Sequence, residues 1–107
     1  MKVMKFGGTS VGKPERMHDV AQLITRDDES KIVVLSALSG TTNTLVAIGT
    51  KLAEGDRSGA KQKIDELNAH YQQFINSLLS TDAVKEKCRA IIAEHFEFLN
   101  IILKISF

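Results

Sequence analysis

The 107-residue chain has one cysteine, one proline, one tyrosine and no tryptophan, and its charges nearly cancel, with 14 Lys and Arg against 13 Asp and Glu. Each shortage removes a class of protein. The lone Cys88 cannot close an internal disulfide, so a buried thiol in a reduced compartment is the expectation. Balanced charge leaves no basic face for a phosphate backbone, and the scarcity of Tyr and Trp leaves few platforms for stacked bases, so nucleic acid is not an expected partner. No apolar run reaches membrane-spanning length, and the N-terminus reads as a strand without a signal-peptide core, so no membrane partner and a cytoplasmic location are expected. A chain of this length is one domain or part of one.

What is present begins at once. Residues 5–12 read Lys-Phe-Gly-Gly-Thr-Ser-Val-Gly, leaving an apolar strand-like run and entering a helical pattern started by Pro14. Paired glycines let the backbone approach a ligand closely and adopt positive φ, which turns N–H groups toward negative oxygens. The helix beyond adds the positive end of its dipole. Gly7, Gly12 and Lys13 fall at the Walker A spacing, but that motif needs a hydroxyl directly after its lysine to hold magnesium. Pro14 stands there instead, where it suits the first helical position. Lys13 therefore reads as a helix-entry residue, and Lys5 as the lysine facing a phosphate.

Periodicity organises the rest. A strand over 2–6 is followed by a helix over 14–25 with Met17, Val20, Ala21 and Ile24 inward, then a polar turn through Asp27, Asp28, Glu29 and Ser30. The continuous apolar run 32–35 predicts a strand covered on both faces of a parallel sheet. Strand, helix, strand makes a βαβ unit, whose ligands sit beyond the carboxyl ends of the strands, so Gly7, Gly8 and the stretch 36–42 should line one rim.

Further helices are predicted over 43–52, with Leu45, Ile48, Gly49 and Leu52 inward, over 60–79, with Ile64, Leu67, Tyr71, Phe74, Ile75 and Leu78 inward, and from 83 onward. Ser80, Thr81 and Asp82 are capping types for the last of these, on which Val84, Cys88, Ile91, Ile92 and His95 align. His18 and His70 read as solvated, and His95 as a core histidine. No Cys and His grouping has metal spacing. From Phe96 to Phe107 the chain is apolar almost all round, a surface that something must bury.

Two segments together carry a family likeness. Residues 5–12, with Val34-Leu35-Ser36-Ala37 and Thr42-Asn43-Thr44-Leu45-Val46, closely resemble the N-terminal motifs of aspartokinases, in the amino-acid kinase superfamily. The likeness is strong over the first 55 residues and weaker in the helical stretch, where the family carries a variable insertion. It implies an α/β fold, an αβα sandwich around a mostly parallel sheet, of which this chain is the N-terminal portion with a helical insertion. It implies transfer of the γ-phosphoryl of ATP, with Mg2+, to the β-carboxylate of L-aspartate, on the route to lysine, threonine and methionine.

Carried over by position, Lys5 would be catalytic, and Lys5, Phe6, Gly7, Gly8, Thr9 and Ser10 would bind the ATP phosphates. Ser36 and Thr42 would bind aspartate, and Mg2+ would be held through phosphates, with no protein ligand in this chain. Read without the family, Lys5 is a solvated strand end, Ser36 and Ser39 are turn residues and Thr42 is a helix N-cap. Ser39 and Thr41 stay open in either reading. The family's later Gly-Arg-Gly-Gly-Ser-Asp loop, acidic substrate-binding segment, adenine pocket and regulatory ACT domains have no counterpart here. The expected organisation is thus a rim over 1–55 and a helical segment over 56–107, incomplete as a catalyst alone, its apolar tail buried by the rest of a parent chain or by a homo-oligomer partner. The alternatives are a non-catalytic binding or assembly module on the same scaffold, and another carboxylate or carbamate kinase, against which the Ser36 and Thr42 pair argues.

Overall fold

The computed structural model describes residues 1–105, so Phe107 of the apolar tail lies outside the described residues. The elements run β1 (Lys2–Phe6), α1 (Pro14–Ile24), β2 (Lys31–Leu35), α2 (Thr41–Ala53), α3 (Arg57–Leu78) and α4 (Asp82–Lys104). They fall into two compact units, Met1–Gly40 and Thr41–Phe107. The helix predicted over 43–52 thus groups with the later helices rather than with the strands.

In the first unit β1 and β2 pair in parallel, Lys2 opposite Lys31 through Phe6 opposite Leu35, with α1 as the crossover. Side chains alternate across a strand, so Met4, Phe6 and Val33 share one face. Phe6 lines a hollow with Val20 and Leu23 of α1, which places the helix over that face. The other face is open: Val3 is 70% exposed, Ile32 48% and Val34 46%. The two-sided covering expected from the apolar run 32–35 is therefore not seen within this unit, whose described helix, α1, lies on the opposite face. On α1, Val20 is buried, Met17, Leu23 and Ile24 are half-buried, and Ala21, expected inward, is exposed.

Pro14 is the first helical residue and Lys13 the extended N-cap. The C-terminal end of α1 has no basic residue of its own. Its orphan carbonyls are met from a distance: Lys31 Nζ donates to Ile24 O at 2.6 Å and to Asp27 O at 3.1 Å. Asp27 then ties both strand starts together, accepting from Lys2 Nζ at 2.7 Å, Lys31 Nζ at 3.0 Å and Glu29 N at 2.9 Å. Those bonds, Lys2 first, hold its carboxyl well below the usual range, and Asp27 with Glu29 raises Lys2 in return.

The second unit is helical. Helix α2 ends in a Schellman turn, with Gly55 at φ 78° and bonds from Gly55 N to Leu52 O (3.0 Å) and Asp56 N to Lys51 O (2.8 Å). Asp56 immediately caps α3 by accepting from Gly59 N at 2.8 Å. A Cβ at Gly59 would crowd that carboxylate, so a larger residue there makes the Asp56 side chain shift. Ile48 and Leu52 of α2, Ala60, Ile64 and Leu67 of α3 and Phe96 of α4 form the core, with Tyr71, Ile92, Leu99 and Leu103 packed on it. Thr41, buried at the start of α2, shares a 2.7 Å hydrogen bond with Tyr71 Oη, and Tyr71 meets Phe96 edge to face. Arg89 of α4 clamps α3 by donating to Gln72 Oε1 and Asn76 Oδ1.

Several inward assignments are corrected here. On α4 the core-facing residue is Phe96, and its neighbour His95 is exposed, as are Val84 and Ile91. Cys88 is half-buried rather than buried. A helix apolar on several sides offers more than one stripe, and the packing against α3 chooses among them. Leu45 is likewise exposed, while buried Thr41 takes the inward place two turns before Ile48. Thr81 is the N-cap of α4 but makes no side-chain cap bond.

Removing the Tyr71 hydroxyl leaves a buried Thr41 Oγ1 without this partner, so Tyr71→Phe should cost about 1 to 2 kcal/mol in denaturant unfolding. An unchanged midpoint would show that solvent reaches Thr41. The Asp27 network should also make stability pH-dependent. A carboxyl depressed in the folded state contributes fully above its ordinary value of 3.8 and loses that contribution as pH falls below it, whereas raised Lys2 contributes fully below 10.5 and loses it above. Asp27→Asn should therefore melt below the wild type at neutral pH, by a small and salt-sensitive margin because the groups are exposed. That margin should narrow on acidification below about pH 4.

Candidate functional site

Ser36 N donates to Phe6 O at 3.0 Å, one rung beyond the last strand pair. Parallel strands end on the same edge, so this rung brings the loop after β2 directly beside the loop after β1. The first loop is folded by two successive turns, Ser10 N to Gly7 O at 3.0 Å and Gly12 N to Thr9 O at 3.4 Å. Val11, only 1% exposed, anchors it. These turns use the amides of Ser10 and Gly12. Among the described residues no hydrogen bond takes up the N–H of Gly8 or Thr9, which remain as donors.

The positive φ expected of the paired glycines is corrected. Neither Gly7 nor Gly8 has positive φ; the glycines that do are Gly40 at 85° and Gly55 at 78°. The turn from 7 to 10 closes without the left-handed region, and what the pair contributes is empty space: a Cβ on either residue would meet nothing within 4 Å. Gly12 is the tightly packed one. A Cβ there would lie 3.0 Å from Gly8 O and 3.2 Å from Ser39 Cβ. The close approach also places Ser39 against the end of the turn, while Ser36 flanks its start.

Lys5 is exposed and, among the described residues, enters no ion pair or hydrogen bond. It pairs with Val34 in register, on the open face of the sheet with Val3 and Ile32. Phe6, half-buried, points to the other face, beneath α1, so its contribution to a phosphate site is its backbone. Thr9 is exposed and Ser10 half-buried, and both border the hollow of about 330 Å³ with Arg16 and Asp19. Ser36 is exposed on the rim, and Thr42 is exposed at the second position of α2, in the second unit, inside the helix rather than capping it.

Arg16 escaped the sequence reading. It sits in the first turn of α1, and its Nη1 donates to Thr9 O at 3.0 Å. Its place shortly after a proline-started helix entry was the available signal, since that turn faces back toward the preceding loop. The donors shown at this edge are N–H and hydroxyl groups, with the Arg16 guanidinium against the turn. They suit the oxygens of a bound anion.

The chain belongs to the amino acid kinase family: the family's model matches residues 1–98, well past the strands and into α4. Among individual proteins the likeness is to aspartokinases. The chain is 49% identical over 105 residues to "Aspartokinase 1, chloroplastic" of Arabidopsis thaliana, covering 95% of this chain and 17% of that protein. It is 32% identical over 90 residues to "Lysine-sensitive aspartokinase 3" of Escherichia coli, 84% of this chain and 19% of that one. It is also 35% identical over 107 residues to "Putative inactive aspartokinase 3" of Haemophilus influenzae, 89% of this chain and 86% of that protein. The chain thus spans under a fifth of the length of the plant relative and most of the Haemophilus one. The aspartokinase likeness reaches through the helical stretch, further than the motifs alone carried it.

The two kinds of glycine make separable predictions. Gly7→Ala should fold normally, within about 0.5 kcal/mol of the wild type, because its methyl enters open space. Gly12→Ala should lose about 1 to 3 kcal/mol, as its methyl presses on the Gly8 backbone oxygen and on Ser39 Cβ, which must move to admit it. Thermal or denaturant unfolding measures both, and equal losses would contradict the assigned roles.

Proposed function

We propose that this chain forms the phosphate-binding rim of an aspartate kinase, with part of its aspartate site. The observation that carries this reading is the open Gly7-Gly8 turn beside the unpaired Lys5 in a member of the amino acid kinase family. In the full reaction the β-carboxylate of L-aspartate attacks the γ-phosphorus of ATP, the bond to the bridging oxygen of ADP breaks, and 4-phospho-L-aspartate forms. Such a transfer asks a protein mainly for alignment and for compensation of charge on the equatorial oxygens. The Lys5 ammonium is the mobile cation for that charge, while the Gly8 and Thr9 amides and the Thr9 and Ser10 hydroxyls supply fixed donors. The N-terminal end of α1 adds its dipole. Ser36 on the rim offers its hydroxyl to the amino acid, and the aspartokinase likeness gives Thr42 a substrate-binding role as well.

Magnesium enters with the nucleotide, as MgATP, carried by its phosphates, since the turn offers donors for oxygen and no carboxylate of its own. The enzyme would act in the cytoplasm at the first step toward lysine, threonine and methionine. The remainder of a parent chain, or a second copy, would cover the apolar side of α4, where Phe98 is 64% exposed and Ile101 48%. The rim over 1–55 and helical segment over 56–107 would then be parts of one catalytic domain.

A second reading has its own observation. The chain covers 86% of a Haemophilus protein whose printed name calls it inactive, which favours a non-catalytic module that retains the rim for binding.

Two measurements test the pair. MgATP titrated into the chain should bind saturably, and Lys5→Ala should weaken binding about tenfold or more, the worth of a charged hydrogen bond. In a chimera carrying these residues in place of the matching segment of the Arabidopsis enzyme, Lys5→Ala should lower turnover on aspartate by about 100- to 1,000-fold. Undiminished turnover there would remove Lys5 from the chemistry. Binding by the chain combined with an inert chimera would favour the module, and turnover on glutamate in place of aspartate would redirect the substrate.

A further inference from the structure

We infer that Arg16 is a positioning residue for the phosphate-facing turn, locking the Thr9–Ser10 peptide plane so that the Thr9 carbonyl stays turned away from the ligand. The inference rests on the reading of that turn as a phosphate cradle. A trans peptide is rigid, with its C=O and N–H on opposite sides. In this plane both ends are held: Ser10 N–H donates to Gly7 O at 3.0 Å, and Thr9 O accepts from Arg16 Nη1 at 3.0 Å. The other bond to Thr9 O, from Gly12 N, is long at 3.4 Å. Ordinary N–H to O bonds cluster near 2.9 to 3.0 Å, roughly, and charged donors make the stronger ones, so the guanidinium is the firmer of the two restraints on this carbonyl.

The alternative conformation is costly for the proposed ligand. If the plane flipped, the Thr9 carbonyl would swing toward the phosphate side and set a negative oxygen against negative oxygens. Arg16 opposes this twice. It engages the carbonyl directly, and it keeps a positive charge behind the turn, since among the described residues it makes no ion pair, not even with Asp19 on the same hollow. Because Arg16 is exposed, its removal need not disturb the core.

The test compares wild type, Arg16→Met and Arg16→Lys in the 107-residue chain. Amide hydrogen exchange across residues 7–12 by NMR and MgATP titration are read side by side, with thermal unfolding as the control for overall stability. Arg16→Met should raise exchange at Ser10 about tenfold and weaken MgATP binding about tenfold, with the unfolding transition nearly unmoved. Arg16→Lys, which keeps a cationic donor, should recover most of both. Unaltered Ser10 exchange in Arg16→Met overturns the positioning role. Faster exchange with unaltered MgATP affinity overturns the link to phosphate. Should the wild type bind neither MgATP nor inorganic tripolyphosphate, the cradle reading itself fails, and the exchange data still decide whether Arg16 pins the turn.

Discussion

Everything at the candidate site depends on the parallel pairing of two five-residue strands. Antiparallel partners would send their following loops to opposite ends, whereas parallel ones deliver both to one edge. The Ser36–Phe6 rung makes that delivery local, and the contact of Gly12 with Ser39 continues it along the length of the turn. Hydroxyls from the second loop thereby border donors from the first, although some thirty residues of chain separate them.

An anion site must be open at the front and rigid behind. The front is open because two successive residues lack side chains. The rear is held by a buried valine, by a glycine that permits close loop packing and by the guanidinium on the Thr9 carbonyl. None of these restraints touches the proposed ligand, and their joint effect is that the donors need little reorganisation on binding, which is where preorganised electrostatics gains its advantage over water.

The helical unit is built on another economy. A glycine Schellman turn passes directly into an aspartate N-cap, so α2 and α3 are joined by very few residues with their end groups satisfied. Short connections of this kind force neighbouring helices into contact. The buried Thr41–Tyr71 bond then fixes the start of α2, where Thr42 is presented to solvent. Apolar surface remains on α4 and on the free face of the sheet, consistent with a family whose fuller members carry several times more chain.

Elements with a strong local signal were legible in the sequence. Strand β1 was placed to the residue, and Pro14, Gly55 and the capping types at 80–82 marked helix ends to within a residue or two, because proline geometry, left-handed glycine and capping act within a turn of the backbone. The aspartokinase likeness was legible for the same reason, since its motifs are contiguous. Less legible was the inward face of α4, where apolar residues lie on several sides and His95 was read as inward, whereas the packing against α3 buries Phe96. The sheet's uncovered face was misjudged because covering concerns what lies across space from a residue, and the φ of Gly7 and Gly8 because glycine permits the left-handed region without requiring it.

The chain's order of residues, then, determined the strands, the helices, the glycine turn and the family, all properties written within a few neighbouring positions. Only the tertiary structure decided that Lys31 would close the end of α1, that Gly12 rather than Gly7 would be the tightly packed glycine, and that Arg16 would hold the Thr9 carbonyl. Such contacts join groups whose separation along the chain carries no periodic signal, and they exist only once packing has brought their elements within hydrogen-bond reach.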